Sequence, residues 1–167
     1  ALVRITHMSN CMGLDCVQFG WNLAMAMECF QRGIIGSDDT SGVRLEWGDE
    51  QVISDMIMKI SRREGFGNIL AGSMPDAVER LGHGASEYGF HTKGQSFTYN
   101  CTQAVAMSLA SSVATRGADH LKGHPFAAMI GLQDMLERIF GKDLPEGILE
   151  HGSPVAKGRV VWWSENY

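Results

Sequence analysis

The chain has 167 residues, of which 44% are hydrophobic, enough to bury the core of one ordinary domain. Its formal charge of −5 argues against a nucleic-acid partner, since phosphate binding needs a basic face. Charged residues interrupt the apolar runs well short of the ~20 residues a membrane span needs, and no signal-peptide pattern is visible.

The first expected helix runs from about Asp15 to Arg32. Val17, Trp21, Ala24, Met25, Glu28 and Cys29 fall in it at spacings of three and four, and Gly33 is a natural stop. Residues 36–42 form a polar turn. Val43-Arg44-Leu45-Glu46-Trp47 alternates, as a short strand or an extended connection would. Asp49 is a good N-cap for a second helix, in which Val52, Ile53, Met56, Ile57 and Ile60 share a face and Arg62-Arg63 meet the negative dipole end. Gly65-Phe66-Gly67 breaks the chain. Helix resumes at Gly67 or Asn68 and stops at Gly82, and Pro75 inside it implies two short helices.

Residues 82–100 are glycine-rich and irregular, and carry His83, His91 and Lys93. Cys101–Thr115 reads as a helix of small residues, followed by a sharp polar turn at Arg116-Gly117-Ala118-Asp119-His120. Gln133–Phe140 is a short amphipathic helix closed by Gly141. The remainder is loop with a strand expected at Gly158–Trp163. The class is mainly α. Residues 1–90 and 91–167 are the expected domains. The start at Ala1 and the apolar run with Trp162 and Trp163 near the other end read as a piece of a larger protein, with a partner surface there.

Four cysteines, Cys11, Cys16, Cys29 and Cys101, show no secreted disulfide framework, which favours a reducing, cytoplasmic setting. Cys11 and Cys16 bracket a Gly-Leu-Asp turn. Their spacing is not a zinc knuckle, and two buried structural thiols would account for them. Cys16 is the stronger functional candidate, because a helix N-terminus favours a thiolate placed there. His120 stands beside Arg116, Asp119 and Lys122, either as ordinary polar surface or as an acid–base group. Asp38-Asp39 reads as a solvated turn and Arg62-Arg63-Glu64 as a helix end. His7, His83, His124 and His151 have no ligand-like spacing.

Six blocks in order resemble one family. Asn10-x-x-Gly13-Leu14-Asp15 resembles a D-x-x-G-L-D pterin motif, and Ala26–Gly33 the helix after it. Leu45–Asp49 and Arg63–Ala71 resemble two further blocks. His91-Thr92-Lys93-Gly94-Gln95 resembles an H-V-K-G-x-E stretch, and Ala114–Leu121 an R-G-A-x-H turn. The family is that of the tungsten- and molybdenum-bis-pterin oxidoreductases typified by aldehyde ferredoxin oxidoreductase, and the resemblance covers nearly all of residues 5–125.

The resemblance implies helical domains like the C-terminal α-rich domains of that family. It implies a tungsten or molybdenum bis-pyranopterin contacted by Asn10, Leu14 and Asp15, with Arg116, Gly117 and Lys122 binding the pterin or its phosphate. It also implies His120 as a hydrogen-bond donor or proton carrier at the metal. Cys16 replaces a usual Thr and would be a direct metal ligand, which resembles the tungsten subunit of class II benzoyl-CoA reductases. Asn10 replaces the usual Asp and adds no charge. The implied [4Fe–4S] cluster belongs to the complete subunit, since none of the four cysteines fits its C-x2-C-x3-C set. The implied substrate is an aldehyde or an acyl-CoA thioester. The implied partner is ferredoxin or an iron–sulfur electron-transfer subunit, in an oligomer. The alternative is a non-catalytic helical scaffold or interaction module of the same fold.

Overall fold

A computed structural model describes residues 1–97 and 104–167. Cys101 and the first residues of the helix expected from it lie outside the described residues. The chain divides into two compact units, Ala1–Ser96 and Phe97–Tyr167. The described residues are helical, with no strand beyond an isolated Thr92–Gln95 bridge, so the mainly α expectation holds.

In the first unit, α1 (Leu2–Cys11) was not foreseen. Helix α2 (Cys16–Gln31) begins beyond an Asp15 N-cap and ends at Arg32. Helix α3 (Glu50–Arg62) starts from Asp49, whose Oδ1 accepts from the Gln51 and Val52 N–H groups at 2.9 and 3.1 Å. Met56, Ile57 and Ile60 of α3 are buried, as their spacing requires. Residues 43–46 form an irregular connection that pairs with no strand among the described residues. Two short helices follow, α4 (Phe66–Leu70) and α5 (Met74–Leu81), with Pro75 in the first turn of α5. Proline is harmless there because that N–H has no helical partner anyway. Gly67 lets α4 lie against α3, since a Cβ on it would collide with the Lys59 carbonyl.

The spacing of residues in α2 does not single out its buried side. Trp21 is 36% exposed, while Asn22 is fully buried beside Phe19, Leu23, Ala26 and Cys29. An Ala/Met-rich helix is apolar over most of its surface, so spacing alone does not pick the inward face. Both Asn22 Nδ2 hydrogens are used, on the Leu70 and Gly72 carbonyls at 3.0 and 2.9 Å. Its Oδ1 accepts from Gln18 Nε2 at 2.9 Å, and Gln18 in turn bonds Ser96 through both ends of its amide. Gly20 sits inside the same helix with no atom within 4 Å of where a Cβ would stand. Glycine there costs the helix about 1 kcal/mol relative to alanine.

The second unit contains α6 (Val105–Val113), α7 (Phe126–Met129), α8 (Gln133–Phe140) and α9 (Lys157–Asn166). Helix α8 has the expected bounds. The strand expected at Gly158–Trp163 is corrected to helix α9. Val160 and Val161 are adjacent and both buried, and Lys157, three and four residues earlier, is buried as well. That is one helical face, not the alternation of a strand. Val160 joins a core with Ala127, Ala128, Leu136 and Ile148, and Val161 one with Ala106, Met107 and Ala110. Lys157 Nζ donates to the Gly147 and Ile148 carbonyls, and burial lowers its pKa below the usual lysine range. Trp162 is 59% exposed on the other side.

Asn22→Leu would leave the Leu70 and Gly72 carbonyls without their donors. The expected loss is about 2–4 kcal/mol of unfolding free energy, read from urea denaturation. A loss under about 0.5 kcal/mol would show that the turn does not depend on Asn22.

Candidate functional site

The candidate residues of the first unit meet where α1 turns into α2. Helix α1 closes with Gly13 in the left-handed region at φ +71°. The Gly13 N–H donates to the Asn10 carbonyl at 3.1 Å, and the Leu14 N–H to the Ser9 carbonyl at 3.0 Å. These paired bonds satisfy the last carbonyls of α1 and reverse the chain, a geometry that glycine adopts without steric cost. Leu14 turns into the core with Met8. Asp15 Oδ1 then accepts from the Val17 and Gln18 N–H groups at 2.8 and 2.9 Å, starting α2.

The reversal brings Asn10 and Cys16 together. Cys16 Sγ is 3.4 Å from Asn10 Oδ1 and 2.8 Å from Ser9 Oγ. Ser9 is buried and also donates to the Thr6 carbonyl at 2.9 Å. Asp15 lines a cleft of about 150 Å³ with Gly13, Leu14, Gln18, Asn22 and residues 70–72. Both helix bonds fall on Oδ1 of Asp15, so the second oxygen is available to an N–H donor of a ligand. Cys11 is exposed, with its Sγ 3.6 Å from His7 Nε2 on the outer side of α1.

In the second unit, Arg116, Gly117, Asp119, His120 and Lys122 share one tight turn. Arg116 forms an ion pair with Asp119, whose Oδ1 also accepts from the Leu121 N–H at 2.9 Å. Asp119 is only 4% exposed. Burial pushes its carboxyl up, but the Leu121 N–H and the Arg116 guanidinium outweigh burial and leave its pKa below the usual range. Gly117 is buried at φ +104°. The half-buried His120 ring meets His124 edge-on, with centroids 6.4 Å apart. Burial first, and then the charge of His120, lowers the His124 pKa below the usual histidine range. Lys122 is half-buried in the same turn.

Other flagged side chains have local roles. His91 Nδ1 accepts from the Gly94 N–H at 3.3 Å, across the turn that carries Lys93 at φ +53°. His83 stands 3.5 Å from Asp39, and His151 Nε2 lies 2.7 Å from the Met129 carbonyl. Asp38 is exposed in a turn, and Arg63 ends α3 in the left-handed region. Among the described residues, no three His, Cys, Asp or Glu side chains converge as a metal site. No described helix is long and apolar enough to cross a membrane.

A family profile described as "Aldehyde ferredoxin oxidoreductase, domains 2 & 3" matches residues 1–167. The chain belongs to the aldehyde ferredoxin oxidoreductase family. The tungsten-containing aldehyde ferredoxin oxidoreductase of Pyrococcus abyssi is 32% identical over 126 residues, which cover 73% of this chain and 20% of that protein. Its counterpart in Pyrococcus horikoshii is 31% identical over the same length, again 73% and 20%. The "aliphatic sulfonate oxidoreductase, WOR-like subunit" of Pyrococcus furiosus is 29% identical over 126 residues, 71% and 20%. The matched part thus spans about a fifth of the length of these curated relatives.

Within this member of the family, sequence reasoning missed Ser9, Gln18 and Asn22. Ser9 hid in an unrecognised helix, although Gly13 is itself the signal of a helix end. Asn22 had no signal, because an isolated amide inside an apolar helix does not announce its partners.

Asp119 gives the second unit a pH signature. Its pKa is depressed on folding, so its stabilising effect is fully present above the unfolded value of about 3.9 and is lost as pH falls through the folded value. Below about pH 4, stability in urea titrations should therefore fall more steeply for the parent protein than for Asp119→Asn. Parallel slopes would mean that the ion pair with Arg116 contributes nothing.

Proposed function

We infer that this chain is the central part of a tungsten-bis-pterin oxidoreductase catalytic subunit. The carrying observation is the Ser9–Cys16 reversal, which puts an amide, a carboxylate and a sulfur donor at the start of one helix. The donor chemistry fits a pterin, whose ring N–H groups need acceptors such as the second oxygen of Asp15 and Asn10 Oδ1. It also fits a metal already held by sulfur ligands, to which a cysteine thiolate could add.

On this reading Asn10, Leu14 and Asp15 hold the pterin, and Arg116, Gly117 and Lys122 bind pterin or phosphate from the second unit. Arg116 is already held by Asp119, which fixes its planar donor fork for an anion. When bound, the cofactor supplies two-electron redox chemistry. The protein orients it, restricts water and moves protons, the last through His120. The [4Fe–4S] ligands then lie in other parts of the subunit, with ferredoxin or an iron–sulfur subunit as electron partner. Residues 1–90 and 91–167 would act as two helical segments behind the cofactor.

Cys16 favours a metal–thiolate site, as proposed for reduction of an aryl-CoA thioester, over an aldehyde oxidase site with a hydroxyl in that place. The competing reading, a helical scaffold without catalysis, is separated by metal content. The intact protein purified without oxygen should carry tungsten or molybdenum with pterin. X-ray absorption should count one sulfur beyond the four dithiolene sulfurs, and Cys16→Ser should remove it. Metal-free, pterin-free protein would sink the oxidoreductase reading. An unchanged sulfur count in loaded Cys16→Ser would sink only the ligand role of Cys16.

A further inference from the structure

Ser9 is the one fully buried residue of α1, a helix whose other residues are exposed or only partly covered. A buried hydroxyl is costly unless it is hydrogen-bonded, and alanine at the same place would suit a helix better. The bond from Ser9 Oγ to the Thr6 carbonyl, at 2.9 Å, does not explain the choice. That carbonyl lies inside α1, where the helix itself supplies a backbone donor.

The contact left is with Cys16. Ser9 Oγ stands 2.8 Å from Cys16 Sγ, and either atom can be the donor. Asn10, the other polar neighbour of the sulfur, holds its Oδ1 at 3.4 Å and is exposed. Ser9 is therefore the nearer partner and the one shielded from water, where a hydrogen bond is electrostatically stronger. A hydroxyl changes from acceptor to donor by rotation about its Cβ–Oγ bond, which moves a single hydrogen. An amide must turn over to present its nitrogen.

We propose that Ser9 is a positioning residue for Cys16: its hydroxyl accepts from the thiol when the sulfur is free and donates to the sulfur when the sulfur holds the metal. This rests on the reading of Cys16 as a metal ligand. In the first state Cys16, Ser9 and the Thr6 carbonyl form a chain of two hydrogen bonds running one way. In the second the Ser9 hydrogen points at the sulfur and draws charge from it, with the heavy atoms left in place. Partners of this kind orient a ligand and tune the affinity and redox potential of the metal it holds.

The test compares Ser9→Ala, Ser9→Thr and Cys16→Ser in the intact protein, with tungsten assayed in each and its sulfur neighbours counted by X-ray absorption. Ser9→Ala should keep or raise the melting temperature. Its tungsten should pass to a chelator about tenfold faster than in the parent. Its tungsten potential, followed by electron paramagnetic resonance, should fall by about tenfold in the equilibrium constant, or about 59 mV for one electron. Ser9→Thr keeps a hydroxyl and should restore both. In protein made without tungsten or molybdenum, the infrared S–H stretch of Cys16, identified by its absence in Cys16→Ser, should move to higher frequency in Ser9→Ala. Where the added methyl group of Ser9→Thr lowers the melting temperature, that frequency decides. Loss of tungsten from Ser9→Ala alone is the same effect carried further and supports the proposal. Parent release rate and potential in loaded Ser9→Ala, or an unmoved S–H frequency, overturn it and give the donor's part to Asn10. Failure of both Ser9 variants to hold tungsten, with the S–H frequency unmoved, marks a purely structural role and overturns it as well. In each of these cases Cys16→Ser lacks one sulfur. A count that Cys16→Ser leaves unchanged overturns the ligand reading of Cys16, and the proposal with it.

Discussion

The first unit depends on one buried amide. Asn22 is fully enclosed, and both of its donors and its acceptor are engaged. It ties the middle of α2 to the turn between α4 and α5, where the backbone would otherwise have two inward carbonyls with no helical partner. A hydrophobic contact would hold these elements together but would not fix their spacing, because apolar attraction has little direction. The amide fixes it, and through Gln18 it also seats Ser96 against α2. The floor of the Asp15 cleft is made from these same residues.

That arrangement gives the first turn of α2 two tasks. Asp15 caps the helix and uses one oxygen to do so, which pins the helix start and leaves its carboxylate at the cleft. Cys16 takes the first helical position and turns the other way, toward Ser9. Neither could be moved by one residue without losing its neighbour's geometry. A shift would break the cap bonds to Val17 and Gln18 or the paired bonds that end α1. The spacing of the Asn-x-x-Gly-Leu-Asp-Cys run is therefore set by the joint between two helices as well as by any ligand.

Much of this was legible in the sequence, and for physical reasons. Asp15, Asp49, Pro75 and Gly141 mark helix ends through local chemistry that does not need the rest of the fold. The α3 face was legible because its polar and apolar residues separate cleanly. Helix α1 was not, since Leu2, Val3, Arg4, Thr6 and His7 are largely exposed and give almost no apolar stripe. Helix α9 was misread because β-branched and aromatic residues favour strands locally, while burial of Lys157, Val160 and Val161 together decides for a helix. At the candidate site, the motif residues were readable as a string. Ser9, which bonds Cys16, sits in a helix without an apolar stripe, and Asn22, which lines the cleft beside Asp15, bonds carbonyls up to 50 residues away in the chain.

The hydrogen bonds around Cys16 also constrain what it can do. A serine hydroxyl has one proton, and that of Ser9 is directed at the Thr6 carbonyl. Asn10 presents its oxygen to Sγ. Both neighbours are thus acceptors, which suits a thiol that donates its own proton. A sulfur bound to a metal has no proton to give. Its neighbours must then rearrange: Ser9 turns its hydroxyl from Thr6 to Sγ, or the Asn10 amide turns over to present Nδ2. Either change costs little, because Thr6 O can keep its helical partner and Asn10 is exposed. An aspartate at position 10 would have no N–H to offer after such a turn and would place a negative charge beside the sulfur. On the proposed metal-bound reading, asparagine would keep both rearrangements open, whereas aspartate would leave only that of Ser9.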